Sequence, residues 1–151
     1  MNTWLPYVCT ALGSFAVGVA VGVFSNFINS RINRLHQFRK TIYVLVSEIE
    51  ASYYKDAWAV LQRSKDIVGK EHAATAEDVH CWRRGSFENA CIAYCNHQTI
   101  NEIARQTTDN MFEGVSKDVD ATILEMTDSD REREWAVNSL KRLIQLAKFF
   151  P

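Results

Sequence analysis

Residues 4–28 read WLPYVCTALGSFAVGVAVGVFSNFI, and no charged side chain precedes Arg31. A bilayer core about 30 Å thick needs roughly 20 apolar residues of helix to cross it. At about 1.5 Å per residue this stretch reaches about 37 Å, enough to cross with some tilt. Val8, Leu12, Phe15, Val17, Val19, Val21, Val23 and Phe24 each favour insertion by roughly 0.3–0.6 kcal/mol, and the intervening Gly, Ser and Thr dilute that gain. Trp4 and Tyr7 fall at one end, where amphipathic rings lie at headgroup level; Asn26 and Asn29 mark the other end. Pro6 suits a first helical turn, where its missing N–H costs nothing.

Three other readings fit less well. A cleaved signal peptide requires a positive n-region, and no Lys or Arg precedes the run, although Ala16 to Ala20 imitates a cleavage site. A buried core helix of this length, apolar all round, is unusual. An interfacial helix needs a charged face, and none exists here. The sequence therefore predicts an all-α protein: a transmembrane anchor over 1–30 continuing into a cytoplasmic antiparallel bundle of about four helices over 31–151.

Charge orients the span. Arg31, Arg34, Arg39 and Lys40 follow it closely, with His36 among them, and no acidic residue appears until Glu48. The positive-inside rule then places the N-terminus outside and the C-terminal part in the cytoplasm, as in a single-pass protein of a bacterial inner membrane. This cluster serves as a topology signal, and it also attracts anionic lipid at about 1 kcal/mol per residue near the surface.

One face of the span is distinctive. Thr10, Ser14, Gly18, Gly22, Asn26 and Ser30 recur every four residues, on a slowly drifting stripe of one helix. Gly18 and Gly22 form a GxxxG pair, which lets two backbones approach closely. Self-association or docking on a partner span is one reading. The other is the ordinary abundance of Gly in membrane helices.

The rest of the chain is long enough for one modest core. Of 17 basic and 18 acidic residues in the protein, the first 40 positions hold four basic and no acidic ones, leaving positions 41–151 a net charge of −5. A mildly acidic domain is a poor nucleic-acid binder. Few prolines and glycines argue against long disordered or β-rich stretches. Cys81, Cys91 and Cys95 are expected as free thiols in a reducing cytoplasm; an inverted topology would let Cys81 pair with Cys91 or Cys95.

Beyond Arg31 the helical pattern continues without a break. Ile32, Leu35, Phe38, Ile42, Leu45 and Ile49 repeat at three- and four-residue steps, and the stripe extends through Tyr53, Ala57, Trp58 and Leu61. This suits either a short coiled coil or a bundle helix. Gly69 is the expected stop, followed by a loop over 69–76. A short helix capped by Thr75 then runs to Arg84, and Gly85 breaks it. A helix from Ser86 carries Phe87, Ala90, Cys91, Tyr94 and Cys95 on one side, ending at an Asn96–His97 turn. Thr99 and Glu102 start the next, with Ile100, Ile103, Ala104, Met111, Val115, Val119, Ile123 and Met126 facing inward. Ser129 and Glu132 cap the last helix, whose apolar face is Trp135, Ala136, Leu140, Leu143, Ile144 and Ala147.

Candidate chemistry is sparse. His80, Cys81, Cys91, Cys95 and His97 are metal-type ligands, but tight C-x2-C pairs are absent and the spacing fits no zinc pattern. No orienting partner is available for a Cys–His nucleophile. The carboxylates of the long helix lack the Glu-x-x-His pairs of a di-iron bundle, and phosphate loops and nucleophile elbows are missing. No cofactor, metal or catalytic residue is predicted. Trp82 beside Arg83–Arg84 is a half-buried ring or an anchor for a partner. The expectation is a non-enzymatic, membrane-anchored assembly protein whose span self-associates or docks on a partner span. The alternative is a membrane-perturbing effector or small oligomeric channel gated by the helical domain, with Thr10, Ser14 and Asn26 lining the pore.

Overall fold

The computed structural model describes residues 5–52, 54–112 and 119–149. These form four helices: α1 (Leu5–Ala51), α2 (Tyr54–Asp78), α3 (Cys81–Phe112) and α4 (Val119–Leu146), with no strand among the described residues. The apolar segment and the first charged helix are one continuous element, as the lack of Pro or Gly between Gly22 and Gly69 predicts.

The two halves of α1 live in different surroundings. Phe15, Val17, Val19, Val21, Val23, Phe24 and Phe27 are all exposed. From Leu35 onward the expected stripe is buried: Leu35, Phe38, Ile42, Leu45 and Ile49, with Val46 beside them, join one core with residues of the other three helices. That core includes Leu61 and Val68 of α2, Phe87, Cys91 and Tyr94 of α3, and Ala136, Leu140, Leu143 and Ile144 of α4. Each large side chain taken out of water there contributes about 1.5–3 kcal/mol. The Phe38 and Phe87 rings meet edge to face at 5.6 Å, and Tyr94 stacks on Trp135.

Helix packing follows from these faces. α1 packs on α2 and α4, α3 packs on the same two helices, and α2 touches α4. Polar pairs tie the ends together. Arg31 and Arg34 of α1 meet Asp78 at the end of α2. Arg63 near the middle of α2 pairs with Glu48 near the end of α1, and Lys65 pairs with Glu102 of α3 at 2.6 Å. Lys141 of α4 reaches Glu50 at 2.8 Å.

The helix boundaries correct several expectations. α2 passes straight through Gly69 and the expected loop at 69–76, and α3 passes through Gly85 and the expected Asn96–His97 turn. α4 starts at Val119, so Ser129 is not its cap. Among the described residues the breaks fall at Ser52 and at Val79–His80, where no Gly or Pro stands. Arginines take the capping role instead. A helix leaves its last carbonyls without partners, and cations suit that end of the dipole. Arg133 donates to Ile49 O and Glu50 O at the end of α1. Arg84 donates to Ala76 O and Glu77 O at the end of α2. Arg83 reaches Gln145 O at the end of α4.

Because α3 is uninterrupted, its register carries on from Phe87, Cys91 and Tyr94 to Gln98, which is fully buried. Ile100 and Ile103, expected inward from a helix restarted at Thr99, are 64% and 58% exposed. Ala104 is exposed too. The expectations for Trp4, Tyr53, Gly114 and Val115 fall outside the described residues, and those for the side chains of Met111, Val119, Ile123 and Met126 do likewise.

Candidate functional site

The candidate site begins with α1, the one described helix long and apolar enough to cross a membrane. Thr10, Ser14, Gly18, Gly22 and Asn26 are exposed along it. Among the described residues a Cβ built on Gly18 or Gly22 meets nothing within 4 Å, so the two glycines face open space. The Ser14 hydroxyl donates to Thr10 O at 2.9 Å, which satisfies it within the helix. The stripe is therefore a smooth, small-residue surface with little unmet polarity at Ser14.

Where the apolar run ends, a cluster ties α1 to the end of α2 and to the segment that follows α4. Arg31 Nε donates to Asp78 Oδ1 at 3.1 Å, and its Nη2 donates to Glu77 O. The same guanidinium lies over the Phe27 ring at 5.4 Å and the Phe149 ring at 5.6 Å. Arg34 grips Asp78 with two donors, Nε to Oδ2 at 2.6 Å and Nη2 to Oδ1 at 2.7 Å. Hydrogen bonds from Arg34, opposed by burial and reinforced by the charges of Arg34 and Arg31, hold the Asp78 carboxyl below the usual carboxylate range. The same bonds raise the Arg34 guanidinium further. His80 N donates to Lys148 O at 3.2 Å, closing the α2–α3 corner against the end of α4.

Two of the four predicted juxtamembrane cations thus do structural work. Arg31 and Arg34 brace α2, a role their position in sequence does not reveal, because Asp78 lies more than 40 residues away. Arg39 is half-buried and Lys40 is exposed. Arg39 lines a groove with Ile32, Leu35, His36, Ala147, Lys148 and Phe149.

The Cys/His group does not converge. Cys81 and Cys91 stand ten residues apart on one helix, about 15 Å, and Cys81 and Cys95 about 21 Å. A disulfide needs Cα atoms within about 7 Å, so Cys81 cannot pair with either, whatever the topology. All three are free thiols, exposed at Cys81, buried at Cys91 and intermediate at Cys95. Burial pushes the Cys91 thiol up to about 12 and also raises Cys95. His97 packs on Trp135 with ring centroids 3.7 Å apart. Among the described residues no three His, Cys, Asp or Glu side chains are grouped to hold a metal ion.

Sequence reasoning missed the outer face of α3. Ser86, Asn89, Ile92, Ala93, Asn96, Thr99, Ile100 and Ile103 are all exposed and none is charged. By contrast α4 presents Asp130, Arg131, Glu134, Lys141 and Arg142 to solvent. The signal was legible as a charge-free period on α3, once the helix is read as unbroken. Compared with protein-family models, with curated proteins and with solved structures, the chain finds no match.

Proposed function

We propose that the protein is a membrane-anchored, non-enzymatic assembly protein. Residues 4–28 cross the bilayer, the N-terminus lies outside, and the remainder is an antiparallel helical bundle in the cytoplasm of a cell with a bacterial-type inner membrane. The observation that carries this reading is the division of α1. Its first half exposes Phe15, Val17, Val19, Val21, Val23, Phe24 and Phe27 together, whereas its second half is half-sunk in a core. A run of large apolar side chains of that length is far too costly to leave in water. Lipid is the solvent that suits it.

Two uncovered faces support assembly. The Thr10–Asn26 stripe suits close backbone packing against a second copy or a partner span. The uncharged outer face of α3, with Ile92, Ile100 and Ile103 exposed, has the composition of an interface core, from which charge is depleted. Changing Gly18 and Gly22 together to Ile should abolish dimerisation in a membrane two-hybrid assay while leaving membrane insertion intact. Unchanged dimerisation would remove the stripe from the account.

The second reading, an oligomeric pore lined by Thr10, Ser14 and Asn26, has the same exposed polar positions in its favour. Dye uptake or collapse of membrane potential on expression separates the two, and a silent membrane leaves the assembly reading ahead.

A further inference from the structure

We propose that the end of the helical domain nearest the span is itself a membrane-contact surface, with Trp82 seated among anionic lipid headgroups. This inference rests on the reading of residues 4–28 as a span.

The first observation is position. Arg31 stands three residues beyond Ile28, about 5 Å along the helix, and it touches the end of α2 and the Phe149 ring. His80 and Arg83 bond the last carbonyls of the α4 end. The α2–α3 corner therefore lies at the level where the apolar run leaves off. Trp82 is in the first turn of α3, and helical side chains lean toward their own N-terminus, here toward that level.

The second observation is exposure. Trp82 is 84% exposed, the most exposed of the large apolar side chains described. Its ring meets the His80 ring edge to face, at 5.5 Å. A free Trp at this depth matches the ring's preference for the membrane–water interface.

The third is charge. Arg83, Arg84 and Lys148 surround the corner. Of the two carboxylates there, Asp78 is covered by Arg31 and Arg34 while Glu77 stays exposed. The neighbouring groove of about 290 Å³ has an apolar floor at Ile32, Leu35 and Phe149 and basic walls at His36, Arg39 and Lys148. A headgroup phosphate suits the guanidinium of Arg39 on that wall.

The test reconstitutes the full chain in phosphatidylcholine vesicles, with and without phosphatidylglycerol, and with brominated acyl chains. The emission of Trp82 is isolated as the difference between wild type and Trp82→Phe. Expected are a blue-shifted band and quenching by brominated lipid, both stronger with phosphatidylglycerol. Arg39→Gln with Lys148→Gln should lower the docked-to-undocked ratio in the anionic vesicles by about fivefold per charge removed. Water-like, unquenched Trp82 emission from protein that resists carbonate extraction overturns the contact and leaves the span standing. Extraction by carbonate overturns both. A blue shift without quenching places Trp82 against protein and overturns the lipid contact.

Discussion

Arg34 and Asp78 form a two-point pair, Nε to Oδ2 at 2.6 Å and Nη2 to Oδ1 at 2.7 Å, with the Asp78 side chain 4% exposed. The pair bolts the last turn of α2 to α1 at the foot of the apolar segment. A planar fork matched to a carboxylate fixes orientation as well as distance. Arg31 adds a second guanidinium to the same oxygen, so the carboxylate is held from two successive turns of α1.

Asp78→Asn should loosen the α2–α3 corner. The amide keeps the size but loses the charge and one acceptor oxygen, leaving two guanidinium groups without their counter-ion. The expected outcome is a lower Tm and earlier tryptic cleavage at Arg83 and Arg84. Arg34→Lys should give a milder version, since Lys lacks the fork. The linkage sign is that of a depressed acid: the stabilisation is complete above the unfolded carboxyl pKa of about 3.9 and is lost as pH falls through the lower folded value. Moderate acidification to pH 5 should leave the pair intact in a pH–Tm series.

The cysteines should react in a fixed order. Cys81 is exposed and Cys91 is buried, so a maleimide at pH 7.5 should modify Cys81 rapidly and Cys91 only after unfolding. Cys81 is therefore the useful reporter of sidedness in intact cells. An impermeant thiol reagent should label it only after permeabilisation if the C-terminal part is cytoplasmic.

Alkali should destabilise the fold in two steps. Burial raises Cys91 to about 12 and, despite the Ser64 hydroxyl bond, Tyr94 to about 12. Both acids are neutral when folded, so their contribution is complete below the unfolded values near 8.5 and 10 and is lost as pH rises toward the folded ones. Tm should fall from about pH 9 onward. Tyr94→Phe should remove the upper part of that fall and cost about 1 kcal/mol at neutral pH, through loss of the 2.5 Å contact with Ser64 Oγ.

Glycines inside helices are openings for stabilisation. A Cβ on Gly69 meets Cys95 Sγ at 3.8 Å, ordinary contact, and one on Gly85 meets nothing within 4 Å. Gly69→Ala and Gly85→Ala should each raise stability by about 0.5–1 kcal/mol, by reducing the freedom lost on folding. Urea melts of the single and double variants measure it, and additivity is expected because the sites lie on different helices.

Much of the architecture was already determined by the sequence alone. A charge-free run followed by a three- and four-residue apolar period allows only a long helix with one bare half and one sided half, because those patterns reflect local geometry and solvent preference. The buried faces of Leu35–Ile49 and Ala136–Ala147 were legible for the same reason. Local signals failed where distant groups overrode them. Gly69, Gly85 and Ser129 look like helix ends, yet packing of α2, α3 and α4 on a shared core outweighs the roughly 1 kcal/mol cost of a helical glycine. The ends instead fall where Arg133, Arg84 and Arg83 reach across to free carbonyls. Only the tertiary structure decided that Arg31 and Arg34 belong to Asp78, that Ile100 and Ile103 face outward, and that Trp82 stands exposed at the α2–α3 corner. Each depends on residues tens of positions apart being brought together, and no local period encodes that.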